Sequence, residues 1–423
     1  MKACVYTLGC KVNTYESEYV ILKLIEAGYE IGSIDEVCDV YIINTCTVTN
    51  TADIKSRKII NRVKRLNPKA CIVAMGCYVE DHPLESNNVD IYIGNKDKSK
   101  IVEFLDLYFT NKEPIRHISL DKDEFEDMFI NDFKGRCRAF VKIQDGCENF
   151  CSYCIIPYVR GKCRSKKLDR VVMEVSALVS NGFKEIVLTG IHTGNYGVDL
   201  NTNFAALLKE LVKIKGLERL RISSIEITEL TDEVLAIIEN NKVIVDHLHI
   251  PLQAGSDKIL KLMNRKYDLE YFSKKLEKIR NIRPNISIST DVIVGFPNES
   301  EEDFLETIKT CQKFAFSKIH VFPFSLRSKT KAETLSGHLD NSIKKERARR
   351  LLKVSKELEQ KYASSFISLS LPVLFEEYKD GVSIGHTSNY LKVKVKEKIE
   401  PNTIKNVKLK SYLLGSMIGE IDE

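Results

Sequence analysis

No stretch of this 423-residue sequence approaches the roughly 20 apolar residues that span a bilayer. The opening residues, Met1-Lys-Ala-Cys-Val-Tyr6, lack the charged-then-apolar layout of a signal peptide. Together these absences predict a cytoplasmic protein with no membrane contact. Charge of one sign is also missing: 64 Lys and Arg against 59 Asp and Glu leave a net +5. A nucleic-acid partner would therefore need its cations clustered. There is no low-complexity tract and no long internal repeat, which excludes solenoids and arrays. In a reducing compartment the twelve cysteines do not form a disulfide framework. They are metal ligands, catalytic thiols or small buried hydrophobes.

What is present is a globular composition, 43% hydrophobic and 29% charged, in a chain long enough for two or three cores. Over 1–110, short apolar runs (Ala3–Leu8, Val40–Asn44, Cys71–Met75, Asp90–Ile93) alternate with helical patterns at 14–27, 51–66 and 99–108. That alternation predicts an open parallel α/β sheet. The polar, acidic stretch 111–134 reads as a linker. A second βα series over 135–366 has strand candidates Arg138–Gln144, Glu185–Thr189, Arg219–Ile225, His247–Leu252, Ile286–Val294 and Ile319–Phe324, and ends in a charged helix over 341–366. Six βα repeats suit a partial (β/α)6 barrel. From 367 to 423, five short strand-like runs, the last at Leu413–Gly415, predict a small all-β barrel of OB-like kind.

The chemistry concentrates in Gln144-Asp-Gly-Cys147-Glu-Asn-Phe-Cys151-Ser-Tyr-Cys154, which follows the first barrel strand. Three thiolates on one loop can hold three irons of a [4Fe–4S] cube, leaving the fourth iron open to a ligand that is not protein. The amino and carboxylate groups of S-adenosylmethionine can chelate that iron, so that an electron passes to the sulfonium and releases a 5′-deoxyadenosyl radical. Zinc is the alternative, but structural zinc takes four ligands in CxxC pairs and no second pair is in view. The end of a first barrel strand is also where such barrels place their chemistry. Three further cysteines share one position: Cys10, Cys46 and Cys77 each end a strand of the first sheet. Ligands of open parallel sheets bind beyond those strand ends. The three thiols are expected to converge on a second cube with a free iron, here to carry sulfur. Cys4, Cys38, Cys71, Cys137, Cys163 and Cys311 read as structural.

Leu8-Gly-Cys-Lys-Val-Asn13, Asn44-Thr-Cys-Thr-Val-Thr49 and Gly76-Cys-Tyr78, with Cys147 through Gly161, His247 through Ser256, Met263 through Tyr267, Thr290 through Pro297 and Gly385 through Tyr390, resemble the methylthiotransferase family of radical-SAM enzymes over nearly the whole chain. Around Cys10 and Cys46 the residues look most like the bacterial branch acting on N6-threonylcarbamoyladenosine in tRNA. Sister branches act on isopentenyladenosine or on a ribosomal-protein aspartate, and a non-catalytic metal-binding RNA protein is the reading from another class. The resemblance implies two [4Fe–4S] clusters, S-adenosylmethionine as both methyl donor and radical source, and attachment of a methylthio group to C2 of the adenosine beside the anticodon. It implies as partners the tRNA anticodon stem-loop, an electron donor of flavodoxin or ferredoxin type, and a sulfur donor. It also implies that the last domain is a TRAM domain.

Tyr153 sits where this enzyme class packs an aromatic near the adenine. Ser224, Glu226, Gln253 and Asp291 are strand-end candidates for the methionine and ribose of the cofactor, against the alternative of satisfied polar groups at strand ends. The second barrel strand ends Leu188-Thr-Gly-Ile-His192, without the acidic Gly-Gly-Glu of many such enzymes, so the partner of the cofactor amino group is unassigned. In Leu391-Lys-Val-Lys-Val-Lys396 strict alternation puts Lys392, Lys394 and Lys396 on one face, either an RNA-backbone patch or a merely solvated one. His386 and Tyr390 nearby are candidates for stacking on bases.

Overall fold

The computed structural model describes residues 1–82, 88–119, 123–133 and 136–422. Strands β1 (Lys2–Thr7), β2 (Glu30–Ile31), β3 (Val40–Thr45), β4 (Cys71–Gly76), β5 (Ile91–Ile93) and β6 (Ile115–His117) form one parallel sheet in the order β2-β1-β3-β4-β5-β6. Helices α1 (Lys11–Glu26), α2 (Asn50–Leu66), α3 (Cys77–Asp81) and α4 (Ile101–Asn111) connect them. Val20 and Leu24 of α1 pack with Ile101 and Leu105 of α4 on one face, and Ile60 and Val63 of α2 cover the other. With both faces covered, every residue of β3 and β4 is buried, which is why these strands read as unbroken apolar runs.

The second unit runs β7 (Arg138–Lys142), β8 (Gln144–Asp145), α5 (Ile156–Arg160), β9 (Arg164–Ser165), α6 (Leu168–Ser180), β10 (Glu185–Thr189), α7 (Phe204–Leu211), β11 (Arg219–Ile222), α8 (Asp232–Asn240), β12 (His247–His249), α9 (Asp257–Leu262), α10 (Leu269–Ile282), β13 (Ser287–Val294), α11 (Glu301–Phe314) and β14 (Lys318–Pro323). Two parallel sheets, β11-β10-β7 and β12-β13-β14, are stitched by bridges at Leu220–Ile244 and Ser224–His249. Six strands thus curve in chain order into a partial barrel, while β8 and β9 form a short antiparallel ladder at its upper rim. Helix α12 (Asn341–Ser364) packs along β14. Strands β15 (Ser370–Lys379), β16 (Val382–Thr387), β17 (Lys392–Val395), β18 (Thr403–Leu413) and β19 (Ser416–Ile421) then close a small barrel in the order β15-β16-β17-β19-β18. Among the described residues no helix is long and apolar enough to cross a membrane.

The small barrel seats on the strand starts of the large one. Arg219 donates to the carbonyls of His386 (2.9 Å) and Pro372 (2.8 Å), and Arg138 pairs with Glu376 at 3.0 Å. At the opposite edge α1 lies beside β7, where Glu16 meets Lys142, Lys98 and Arg160 in a fully buried network. Burial alone would raise the Glu16 pKa, but those three cations hold it far below the usual carboxylate range.

Two expectations are corrected. The described part of 111–134 is not simply a linker: Ile115–His117 is the edge strand β6, and Met128, Ile130 and Phe133 are buried in the large barrel's core. Its acidic character misleads because Asp127 is an ion-pair partner of Arg170 (2.8 Å); residues 120–122 and 134 lie outside the described residues. Of the run Leu413–Gly415, Leu413 ends β18 while Leu414 (φ 48°) and Gly415 (φ 77°) make the turn to β19, so the fifth strand begins later, at Ser416.

Candidate active site

Cys10, Cys46 and Cys77 lie in the connections that follow β1, β3 and β4; Cys77 acts electrostatically on Cys10 and Cys46, and Cys10 on Cys46. Gly9, at φ +101°, lets two of these loops touch: a Cβ there would stand 2.9 Å from Cys46 Cβ and 3.1 Å from its Sγ. Asn13 ties them by donating to the carbonyls of Leu8 (2.7 Å) and Thr45 (3.0 Å). Burial pushes the Cys46 thiol up to about 12, so a metal binding here must displace a firmly held proton.

Cys147, Cys151 and Cys154 follow β8 on a loop pinned from several sides. Ser152 N–H donates to Met263 O at 3.0 Å and its hydroxyl to Leu262 O at 2.7 Å. Gly146 is obligatory, because a Cβ there would sit 1.8 Å from Lys162 O. Cys151 Sγ accepts from Arg265 Nη1 at 3.2 Å, and burial pushes the Cys154 thiol up to about 12. His192 Nδ1 lies 3.7 Å from Cys147 Sγ, and its Nε2 meets Glu229.

The two cysteine groups share one loop between them. Ile155 and Val159, just past Cys154, pack on Cys77. Arg160 is fully buried and donates to Cys77 Sγ (3.3 Å), Asn13 Oδ1 (2.7 Å) and Asp145 Oδ1 (2.9 Å). Each group therefore has one buried guanidinium on one of its sulfurs, Arg160 on Cys77 and Arg265 on Cys151, which suits sites that gather three thiolates. Both arginines lie inside motifs quoted above, Arg160 in Cys147 through Gly161 and Arg265 in Met263 through Tyr267, but neither is among the expected site residues. Arg327, beyond β14, was likewise unmarked. It locks the Cys46 and Cys77 loops to the large barrel through Thr47 (2.8 Å), Asp53 (2.7 Å) and Asp81 (3.3 Å).

Among the expected cofactor residues, Tyr153, Gln253 and Asp291 come together with Cys154 and Thr49 around a cavity of about 260 Å³. Glu226 is not on that cavity; it pairs with Arg265, which also reaches Tyr153 OH at 3.5 Å. Ser224 is taken up in the bridge to His249. Asp291 Oδ2 lies 3.2 Å from His249 Nε2, and ligand atoms of His249, Asp291 and His320 all fall within 4.8 Å of one another, a group able to hold a cation. In the small barrel Val393 and Val395 are buried while Lys392 and Lys396 are exposed and Lys394 half-buried. His386 and Tyr390 sit where the small barrel meets the large one. Their rings stack on each other (5.0 Å), Arg221 lies 4.5 Å over Tyr390, and Arg138 donates to its hydroxyl at 3.0 Å. They join the small barrel to the large one and line a cavity there, with Tyr390 still exposed.

A cysteine loop at the rim of a partial six-stranded barrel defines a radical-SAM enzyme, and residues 141–311 match the Radical SAM superfamily. Residues 2–94 match the family described as Uncharacterized protein family UPF0004. The fold is similar to that of the radical S-adenosylmethionine methyltransferase TsrM from Kitasatospora setae, solved with cobalamin and a [4Fe-4S] cluster, at TM-score 0.56, 13% identity, 78% of this chain and 76% of that one. The Threonylcarbamoyladenosine tRNA methylthiotransferase MtaB of Bacillus subtilis (strain 168) is 44% identical over 92% of this chain and 89% of its own length. The MtaB of Aquifex aeolicus is 43% identical over 86% and 90%. A tRNA-2-methylthio-N(6)-dimethylallyladenosine synthase of Clostridium perfringens is 35% identical over 82% and 80%. The chain belongs to the MtaB family of tRNA methylthiotransferases.

Proposed function

We propose that this protein attaches a methylthio group to C2 of N6-threonylcarbamoyladenosine beside the anticodon of tRNA. The observation that carries the reading is the meeting of two three-cysteine groups across the Cys154–Arg160 segment, so that a radical source and a sulfur carrier would face one substrate. Cys147, Cys151 and Cys154 would hold one [4Fe–4S] cluster, and Cys10, Cys46 and Cys77 the other. When bound, the first supplies reductive cleavage of S-adenosylmethionine and the second the sulfur to be methylated and transferred. The residues fit these groups: three thiols each, all free, with one buried cation apiece.

The protein's own part is positioning. Arg265 fixes Cys151, Tyr153 and Glu226 together, and the cavity lined by Tyr153, Gln253 and Asp291 would take the nucleoside end of the cofactor. A ribose hydroxyl donating to Asp291 is the contact its chemistry invites. Lys392, Lys394 and Lys396 would meet the RNA backbone. An electron donor of flavodoxin or ferredoxin type, a sulfur donor and a cytoplasmic setting complete the reading. The higher identity to relatives named for threonylcarbamoyladenosine than to one named for dimethylallyladenosine supports the substrate.

The test uses anaerobically reconstituted protein with S-adenosylmethionine, a strong reductant, sulfide and an anticodon stem-loop bearing the threonylcarbamoyl nucleoside. Nucleoside mass spectrometry should find the methylthio adduct, absent in Cys147→Ala and in Cys46→Ala. 5′-Deoxyadenosine without adduct would keep the radical chemistry and reject the substrate.

A further inference from the structure

Below Asp291 the barrel interior continues as a cavity of about 390 Å³, reaching from the strand starts to the small barrel. Asp291 lines the cofactor-sized cavity and its partner His249 lines this one, so the pair forms a shared wall. The lining is rich in cations and hydroxyls: Lys11 from α1, Lys318 and His320 from β14, Lys392 from β17, and Ser287 and Ser289 from β13. Among the described lining residues the one carboxylate is Glu359, which lies 3.7 Å from Lys318 Nζ.

Lys11 is the odd member. It follows Cys10 directly, is exposed, and lines the cavity. No carboxylate among the described residues stands at ion-pair distance from its ammonium. Tyr390 and Glu185 act favourably on it and Arg221 and Arg138 unfavourably, but Glu185 is paired with Arg221 (2.7 Å) and Arg138 with Glu376 (3.0 Å). An ammonium that faces a cavity with no carboxylate in direct contact can take an arriving anion as its partner.

We propose, resting on the substrate read above, that this cavity receives the N6 substituent of the target adenosine, with Lys11 as the counter-ion of its threonyl carboxylate. C2 and C6 flank N1 on one edge of the base. A purine that presents C2 to the cysteines therefore carries its N6 substituent alongside, within reach of a cation one residue from Cys10. The serine hydroxyls and the His320 imidazole offer partners for the carbamoyl group and the threonyl hydroxyl. An isopentenyl group, all carbon, would offer the ammonium no partner, the arrangement by which a polar site rejects an apolar competitor.

The test compares binding, by fluorescence anisotropy, of stem-loops carrying the threonyl carboxylate, its neutral primary amide, or unmodified adenosine. Apo and reconstituted protein are both used, with iron content and melting temperature checked for every variant. Wild type should bind the carboxylate about tenfold or more tighter than the amide, as expected for a charge-assisted contact. Lys11→Met should abolish that preference while binding the amide like wild type, and Lys11→Arg should restore part of it. Equal binding of carboxylate and amide by wild type, or a preference that survives in Lys11→Met, overturns the assignment. If the surviving preference disappears on chelation, the anion belongs to a metal at His249, Asp291 and His320 instead. If wild type binds all three stem-loops alike, the substrate reading itself falls; discrimination against unmodified adenosine without dependence on Lys11 leaves that reading standing and removes only Lys11.

Discussion

Replacing Arg160 with methionine removes the one side chain that touches Cys77, Asn13, Glu16 and Asp145 at once. Two carboxylates then lose a buried partner, and breaking such a network costs about 3–5 kcal/mol. We expect Arg160→Met to lower the melting temperature and to lose iron preferentially from the Cys10/Cys46/Cys77 group, read as iron and sulfide content against the same measurement in Arg265→Met. Arg265→Met should do the converse, sparing the first group and depressing 5′-deoxyadenosine formation, because Cys151 loses its donor and Glu226 its partner. Equal iron loss in both variants would show that the guanidiniums do not serve the groups separately.

At the scale of elements, α11 shows how a helix start is fixed by local chemistry. Ser300 accepts from Asp303 N–H (3.2 Å) and Asp303 accepts from Ser300 N–H (2.9 Å), a reciprocal cap. Burial opposes ionisation of Asp303, but Lys258, the Ser300 amide and Ser256 draw its pKa from 3.8 to about 2. The folded carboxyl thus binds protons more weakly than the unfolded one. Its stabilising effect is complete above the unfolded value and is lost as pH falls from about 4 through about 2. Asp303→Asn should cost about 1 kcal/mol at neutral pH, and its melting temperature should converge with wild type over that acid window. Strand β17 makes a second case. Lys392, Lys394 and Lys396 alternate with the buried Val393 and Val395, so a triple change to Gln should leave the small barrel folded. If that face meets RNA, stem-loop affinity should fall and the slope of log Kd against log salt should flatten by up to about three contacts. An unchanged salt slope would make it a solvated face.

For the molecule as a whole, the question is what holds three units in register around one cavity. Arg327 is the clasp between the open sheet and the large barrel, with Asp53 and Asp81 as its buried carboxylates. Arg327→Met should separate thermal unfolding of the sheet from that of the barrel and uncouple 5′-deoxyadenosine formation from methylthio transfer, as the two cysteine groups lose their fixed distance. A single unfolding step with coupled turnover would show that α1 and Arg160 suffice. The floor depends on Arg138, Arg219 and Arg221, whose partners lie partly in the small barrel. That barrel is thus a wall of the active-site cavity as well as a candidate RNA platform.

Much of this was legible in the chain. The βα alternation gave both parallel units, since a strand covered on two faces must be apolar throughout and a helix covered on one must be periodic. The CxxxCxxC spacing and the strand-end positions of Cys10, Cys46 and Cys77 are one-dimensional signals, because strand ends in a parallel sheet lie side by side whatever the loops do. The acidic 111–134 stretch and the Leu413–Gly415 run were misread because local polarity does not report the partner that buries it, nor local apolarity a positive φ. Arg160 and Arg265 lie in motifs the sequence already marks, but their roles, like that of Arg327, became readable only once folding set each against thiols or carboxylates of other segments. The sequence by itself determined which thiols are available and what chemistry they can hold. Only the tertiary structure decided that the two groups meet across the Cys154–Arg160 segment, that His386 and Tyr390 stack on each other beside Arg221, and that Lys11 faces a cavity with no carboxylate in direct contact, because those facts depend on which charges find each other once the three units close.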